Sequence, residues 1–538
     1  MVNILVLSVA IILFLVATSL VFRFKSKFSK KYLIAYVILF TVLIGSEFIK
    51  LDKIPYVFGD EAFCMYDSWC IGNYGVDSHL VHHAIYSLSS GGQSILYENL
   101  TAPLMKIFGM NITVFRLPLV TLSCITVIFL FYVLIKLNLN KNYLLGFLIV
   151  FTLSPFFMME TRWGQDCNIS FLLMLLGIGF FVLACQTGKQ YLYFISLIWF
   201  GLMSYSYMAS WILLPFLIVG LFGVALFNKK LNFKYLLMSL LLIILIELPL
   251  MAFAGRQFLH LSINHFMGFT MVTLPKTRAN ASLISMTNGH VIHTMFANIS
   301  NGFEMLSTNN DHFSWVTIPG FGQLYPFSLL LAFIGIIFVL NRCLKQHTWL
   351  MEVLLVLLVS AIPYMLIVKP NFIHWIFIVA IMQIFVGLGV GYLFDIDKNK
   401  LIKKSIVLLY GILFTLFLGN YFTSFVKKEN CSLNYASYIM NKSDVCKFTR
   451  IMNKYHAKYV YGLPFSSAFI LLFNEVNPKD ASTIINNYFQ NYPDKVVSNA
   501  TYILKDGVHL KGLNANRLKN DHNTVEFNGQ KYLIYYKK

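Results

Sequence analysis

Charge is the scarcest commodity in this sequence. Only 12% of its 538 residues are charged, against about a quarter in a soluble globular domain. Acidic residues are the rarest, 23 Asp and Glu against 42 Lys and Arg, leaving a formal net charge of +19. There is no CxxC pair and no Cys–His spacing of the kind that builds a zinc site. There is no internal repeat. The first apolar run, residues 2–22, lacks a basic leader and a small-residue cleavage site, so it reads as a retained helix rather than a cleaved signal.

What is abundant is apolar. Hydrophobic residues make up 58%, mean hydropathy is +0.68, and there are 50 Phe and 30 Tyr. The apolar residues fall in runs of about 20, the length that spans a bilayer. About twelve spans are expected from hydropathy, near 2–22, 32–50, 114–135, 142–158, 168–185, 190–205, 208–227, 235–254, 325–341, 349–367, 371–394 and 404–425. Basic loops follow alternate spans: Arg23 to Lys31, Lys136 and Lys141, Lys229 to Lys234, Arg342 and Lys345, and Lys398 to Lys404. All fall on one side, which the positive-inside rule makes the cytoplasm. The net charge is thereby explained without nucleic acid.

The other side receives loops 51–113 and 255–324 and the tail 426–538. The tail carries strand-like runs at Lys458–Tyr461 and Tyr532–Tyr536 and a helix-like run at Ser466–Asn474, so a small extracytoplasmic α/β domain is expected, following a multi-pass domain over 1–425. Cys64, Cys70, Cys431 and Cys446 all lie on that side, where they would form two disulfides or remain free thiols.

The same side gathers the polar residues. Asp60 and Glu61 follow the second span closely, with Asp67, Asp77 and Glu98 behind them. Acidic groups at a membrane face are costly unless used or solvated. A transferase needs one carboxylate to take the acceptor proton and cations or a metal for a departing phosphate. The segment Ser154–Asp166 adds Arg162 and Asp166, which share a face on a helix and either pair with each other or serve a ligand. Arg162 suits a phosphate. Lys106, Arg116, Arg256, Lys276, Arg278, Lys369 and His374 are further candidates, each also readable as an interface residue.

In this order, Gly59-Asp60-Glu61-Ala62, Tyr97-Glu98-Asn99 to Pro103, Phe115-Arg116-Leu117-Pro118, Ser154-Pro155 to Asp166, and the 298–326 stretch resemble GT-C fold glycosyltransferases. The resemblance is to the bacterial ArnT-like and protein-mannosyltransferase-like branch and covers roughly residues 50–395. It implies a polyprenyl-phosphate sugar donor among the membrane lipids, a cell-envelope glycan, lipid or protein acceptor, and transfer at the outer face of the plasma membrane, usually with inversion. It implies Asp60 as general base, Glu61 as a catalytic-site residue that shapes the site or helps bind acceptor or metal, Asp166 as the second-loop acidic residue of the site, and Arg162, Glu98, Asn99, Lys369 and His374 as donor contacts. Some relatives use a divalent ion and others do not; no clear ligand set stands out here. The chain departs from the pattern at Asn99, where some relatives carry Lys, and at Lys369-Pro370-Asn371, where close relatives carry an Arg-rich turn.

Two other readings compete. A transporter or flippase of lipid-linked sugars would show repeats and charges deep in spans; Glu247 is the main such residue. A non-catalytic envelope scaffold would use the basic tail, with 16 Lys or Arg against 8 Asp or Glu, to meet an anionic polymer.

Overall fold

The computed structural model describes residues 1–275, 282–285, 290–310, 318, 321–423, 439–440, 442–461, 463, 465–489, 500–505, 523–527 and 530–537. The helices run α1 (Val2–Arg23), α2 (Lys30–Phe48), α3 (Gly59–Tyr74), α4 (Leu96–Phe108), α5 (Ile112–Lys136), α6 (Lys141–Leu153), α7 (Pro155–Thr161), α8 (Asp166–Thr187), α9 (Tyr191–Ser206), α10 (Ser210–Phe227) and α11 (Phe233–Leu259). Then come Val291–Thr308, Pro326–Gln346, Trp349–Ile367, Ile376–Ile396 and Leu401–Thr423.

Ten described helices are long and apolar enough to cross a membrane, and the protein is a multi-pass membrane protein. Each of the twelve expected spans meets an element. Two differ in form. Expected span 142–158 is α6 and α7, bent by 48°, because Pro155 has no N–H to continue the α6 ladder and instead starts a new helix at its first position. Expected span 190–205 is α9, an apolar helix of 16 residues.

Helix α8 and helix Ile376–Ile396 form the middle of the bundle, with 94% and 78% of their apolar windows buried, whereas α1 and Leu401–Thr423 have 17% each and lie at its edge. A Cβ on Gly389 would lie 2.0 Å from the Leu331 carbonyl oxygen, and one on Gly335 2.1 Å from that of Phe385. Helices Pro326–Gln346 and Ile376–Ile396 therefore touch backbone to backbone, the small-residue contact by which helices associate in lipid.

The expected basic loops gather at one end. Lys27 Nζ donates to Asn138 Oδ1 at 2.7 Å, Lys403 Nζ to Asn142 Oδ1 at 2.9 Å, and Lys230 Nζ lies 5.7 Å from the Trp349 ring centroid. At the opposite end lie α3 and α4, within the stretch expected as a loop, and the C-terminal residues. The expected runs of the tail appear as strands Tyr459–Tyr461 and Gln530–Lys537 and helix Ser467–Phe473. The sheet has the order Asn523–Phe527, Gln530–Lys537, Ala500–Lys505, Tyr459–Tyr461, Tyr488–Phe489. Phe448, Phe465, Phe527 and Tyr532 pack edge-on beneath it. This unit docks on the start of α3: Val57–Phe58 pairs antiparallel with Ile439–Met440, and Tyr66 donates to the Val476 carbonyl at 2.7 Å. The expected domain boundary at 425/426 lies outside the described residues.

Cys64 and Cys70 are free thiols, so the disulfide entertained for the first loop does not form. Both lie on α3, where six residues separate them by about 9 Å along the axis and turn them to different faces, outside disulfide reach. Cys446 is free as well; Cys431 lies outside the described residues.

Candidate active site

The site is built where two helix N-termini meet. Helix α3 begins after extended Phe58 and places Asp60 and Glu61 in its first turn. It ends on Gly75, whose φ of 72° is the left-handed closure glycine makes without strain. Helix α8 begins at Asp166. Each terminus offers free backbone N–H groups and the positive end of a helix dipole to its carboxylates.

A short strand, Gln93–Ser94, bridges them. Gln93 Nε2 donates to the Asp60 carbonyl at 3.2 Å, and the Ser94 N–H donates to Asp166 Oδ2 at 3.1 Å. Asp166 Oδ1 also accepts from the Cys167 N–H at 3.0 Å. Asp60 is half-buried and Asp166 is buried. Asp166 lines a cavity of about 130 Å³ together with Gly92, Tyr207, Trp211, Phe258 and Ser282. Across it, Ser282 Oγ lies 3.2 Å from His374 Nε2, and the Lys369 N–H donates to the Ser282 carbonyl at 2.8 Å. Asp60, Asp166, Lys369 and His374, far apart in sequence, are thus tied to one chamber through Gln93, Ser94 and Ser282. None of those three linkers was singled out from sequence; short polar residues in a loop give no signal until the loop's path is known.

Glu98 lies on the inner face of α4, fully buried, and neither carboxylate oxygen accepts from a side-chain N–H or O–H group. Burial pushes its pKa well above the usual carboxylate range, with the Asp166 and Asp67 charges adding to the rise and the Cys64 thiol opposing it. Asn99 is the next residue along and faces away: it is exposed, and its Nδ2 bonds back to the Ile95 carbonyl at 2.8 Å. The expected donor contact at Asn99 has no support in this placement.

Two expectations for Arg162 are corrected. Arg162 and Asp166 do not share a helical face, because α7 ends at Thr161 and α8 begins at Asp166. Nor is Arg162 available to a phosphate. It is fully buried, and Nη1 donates to the Ser46 and Glu47 carbonyls at 2.7 and 2.6 Å, Nη2 to those of Ile49 and Ile54 at 2.7 and 2.8 Å, and Nε to Tyr421 Oη at 3.3 Å. All five donors of the guanidinium are engaged. Glu61, expected as a catalytic companion, is held in a buried bidentate pair with Arg116 at 2.7 and 2.6 Å and accepts the Gly164 N–H at 2.9 Å. It shapes the site rather than facing it.

Behind the chamber, Asp67 and Asp77 close the loop after α3. Asp67 Oδ1 accepts the Ser78 N–H at 2.8 Å; Asp77 Oδ1 accepts those of His79 and Val81 at 2.8 and 2.9 Å. Burial raises both, Asp77 to about 7 with the Asp67 charge contributing. Among the described residues, no three His, Cys, Asp or Glu side chains come together as a metal site, so no step is assigned to a divalent ion. Lys276 and Arg278 lie outside the described residues.

An apolar groove of about 310 Å³ opens beside the chamber, lined by Ser204, Leu214, Pro215, Ile243, Glu247 and Trp211, the last shared with the Asp166 cavity. Ser204 Oγ lies 2.7 and 2.9 Å from the two Glu247 carboxyl oxygens. A further groove of about 660 Å³ continues it past Pro215 and Val219.

No known sequence family matches the chain, and no curated protein matches it by sequence. Solved structures do. ArnT from Cupriavidus metallidurans bound to undecaprenyl phosphate superposes with a TM-score of 0.54 at 10% identity, over 93% of this chain and 98% of that one. Its apo state gives 0.51 at the same identity and coverage. The apo oligosaccharyltransferase of Archaeoglobus fulgidus gives 0.48 at 12% identity over 85% of this chain, which spans only 64% of that protein. At such identity the likeness is one of fold: the chain has the GT-C fold of membrane glycosyltransferases.

Proposed function

We propose that this protein moves a sugar from a polyprenyl-phosphate donor to an acceptor hydroxyl of a cell-envelope glycan, lipid or protein, at the outer face of the plasma membrane. The observation that carries the reading is the chamber itself. Asp60 and Asp166, on two helix N-termini, are joined through Gln93–Ser94 at the inner end of a groove lined by apolar spans.

Asp60 is the general base. It is the half-buried carboxylate of the group, open to an acceptor arriving from water, and its backbone is tied to the chamber through Gln93. Asp166 orients the acceptor or the sugar hydroxyls. Lys369 and His374 sit on the turn across the cavity and take the donor phosphate, a task for which Arg162 has no free donor and Arg116 is committed to Glu61 and two backbone carbonyls. The lipid chain of the donor lies along the groove past Trp211 and Pro215. Glu98, kept protonated by burial, acts as a neutral hydrogen-bonding acid beside Asp166.

Asp60→Asn removes the base and keeps the shape. Transfer from synthetic undecaprenyl-phosphate hexoses, followed by mass spectrometry of the acceptor, should fall about 100- to 10,000-fold, with normal insertion in the membrane. Wild-type transfer by this variant rejects Asp60 as the base.

A further inference from the structure

Two buried side chains take six backbone carbonyls of the stretch of chain that delivers Asp60 to the site. Residues 46–55 leave the last turn of α2 and run without regular structure toward α3. A helix leaves its final carbonyls without partners, and this one ends among buried residues. Arg162 takes the Ser46, Glu47, Ile49 and Ile54 carbonyls. Arg116 takes those of Leu51 and Pro55, at 3.0 and 2.9 Å, and grips Glu61 in the first turn of α3. Both guanidinium groups are fully buried. Their planar forks present several donors in fixed geometry, which Lys does not.

The segment that carries Arg162 follows the same stretch residue by residue. The Thr161 hydroxyl donates to the Glu47 carboxylate at 2.7 Å, the Trp163 indole N–H to the Tyr56 carbonyl at 3.2 Å, and the Gly164 N–H to Glu61 at 2.9 Å. Two residues further on is Asp166. Residues 161–166 and 46–61 are therefore fastened together along their length, with Asp166 at the end of one and Asp60 at the end of the other.

We infer that Arg162 and Arg116 are positioning residues: they set the register of the Asp60 turn against the Asp166 turn and touch neither donor nor acceptor. The inference rests on the reading of Asp60 and Asp166 as the reacting pair. Misplacing a reacting group by about 1 Å costs on the order of 100-fold in rate without weakening substrate binding, so the signature is a kcat effect.

Three variants of the full chain in lipid nanodiscs test it: Arg162→Lys, Arg116→Lys and the milder Trp163→Phe, which keeps an aromatic ring beside Phe58 and loses the indole N–H bond to Tyr56. The donor probes are synthetic undecaprenyl-phosphate hexoses, and sugar-free undecaprenyl phosphate serves as the binding probe. The lysine variants should lose about 10- to 100-fold in kcat and Trp163→Phe several-fold. Donor KM and undecaprenyl phosphate affinity should stay within about twofold of wild type. A tenfold rise in donor KM with weakened undecaprenyl phosphate binding on Arg162→Lys overturns the inference, because that is the mark of a phosphate ligand. Wild-type kcat in Trp163→Phe and both lysine variants overturns it as well. If a lysine variant does not fold, Trp163→Phe decides. Asp60→Asn, run alongside, separates the two ideas: full activity there with a kcat loss in the arginine variants places the error in the role given to Asp60.

Discussion

Glu98 is where burial and charge oppose each other most strongly. No side-chain N–H or O–H group bonds either oxygen of its carboxyl, its own backbone N–H and the Cys64 thiol oppose the rise without cancelling it, and Asp166 and Asp67 add negative charge around it. The ionised form is therefore disfavoured, and the group stays protonated well above the usual carboxylate range. The sign of its pH effect follows. A carboxyl with a raised folded-state pKa contributes stability that is present at low pH and lost as pH rises through that value. Glu98→Gln mimics the neutral acid and does not titrate. It should match wild type near neutrality and lose less of both melting temperature and transfer as pH climbs into the alkaline range; identical alkaline limbs in the two proteins count against the neutral-acid role. Glu98 was legible in sequence as a polar residue in an acidic loop, as were Asp60 and Asp166. Arg162 was legible as a residue with work to do, but not for whom. A guanidinium can serve a phosphate or, as here, four backbone carbonyls, and backbone carbonyls leave no trace in a residue pattern.

Elements rather than residues decide how close the two acidic turns come. The segment between α7 and α8 passes so near α5 that a Cβ on Gly164 would lie 2.3 Å from the Phe115 ring and 3.0 Å from that of Tyr97. Gly164→Ala should therefore destabilise by about 1–3 kcal/mol and lower transfer, and Phe115→Leu should restore part of both; an unaltered melting curve for Gly164→Ala counts against this packing. The loop after α3 supplies a second handle. Asp77 is raised to about 7, above its unfolded value of about 3.9, so its contribution to stability is complete at low pH and declines as pH rises from about 4 to 7. Asp77→Asn should flatten that decline in hydrogen exchange of residues 75–81. A slope unchanged from wild type means Asp77 is not the titrating group. This level was only partly readable. The apolar runs gave the spans, since composition and length alone set them, and the break at Pro155 has a sequence cause. Helices α3 and α4 were hidden inside an expected loop, because at 16 and 13 residues they are too short to read as spans, and α3, buried over most of its surface, carries no simple apolar period. That concealment also made a Cys64–Cys70 disulfide look feasible.

At the scale of the whole molecule the sequence is most informative, because a bilayer constrains everything at once. Twelve apolar runs and the basic loops between them predict which ends of the helices lie together, and the structure brings Lys27, Lys230 and Lys403 to one end while Asp60, Asp166 and Lys369 are tied together at the other. What a fold leaves open is which end faces the cytoplasm. The positive-inside rule predicts an answer: the Lys-rich end in, and the acidic chamber and basic tail out. Site-directed thiol labelling puts this to the test. In a background with Cys431→Ser and Cys446→Ser, the remaining cysteines are buried. Tyr74→Cys lies at the chamber end of the bundle on a residue that is 44% exposed, and Lys398→Cys is exposed on a basic loop at the other. In intact cells a membrane-impermeant maleimide should label Tyr74→Cys fully and Lys398→Cys only after permeabilisation. The reverse pattern would place the chamber in the cytoplasm, and with it the donor headgroup and the acceptor, so transfer to an envelope polymer would have to be abandoned even if the chemistry at Asp60 stood.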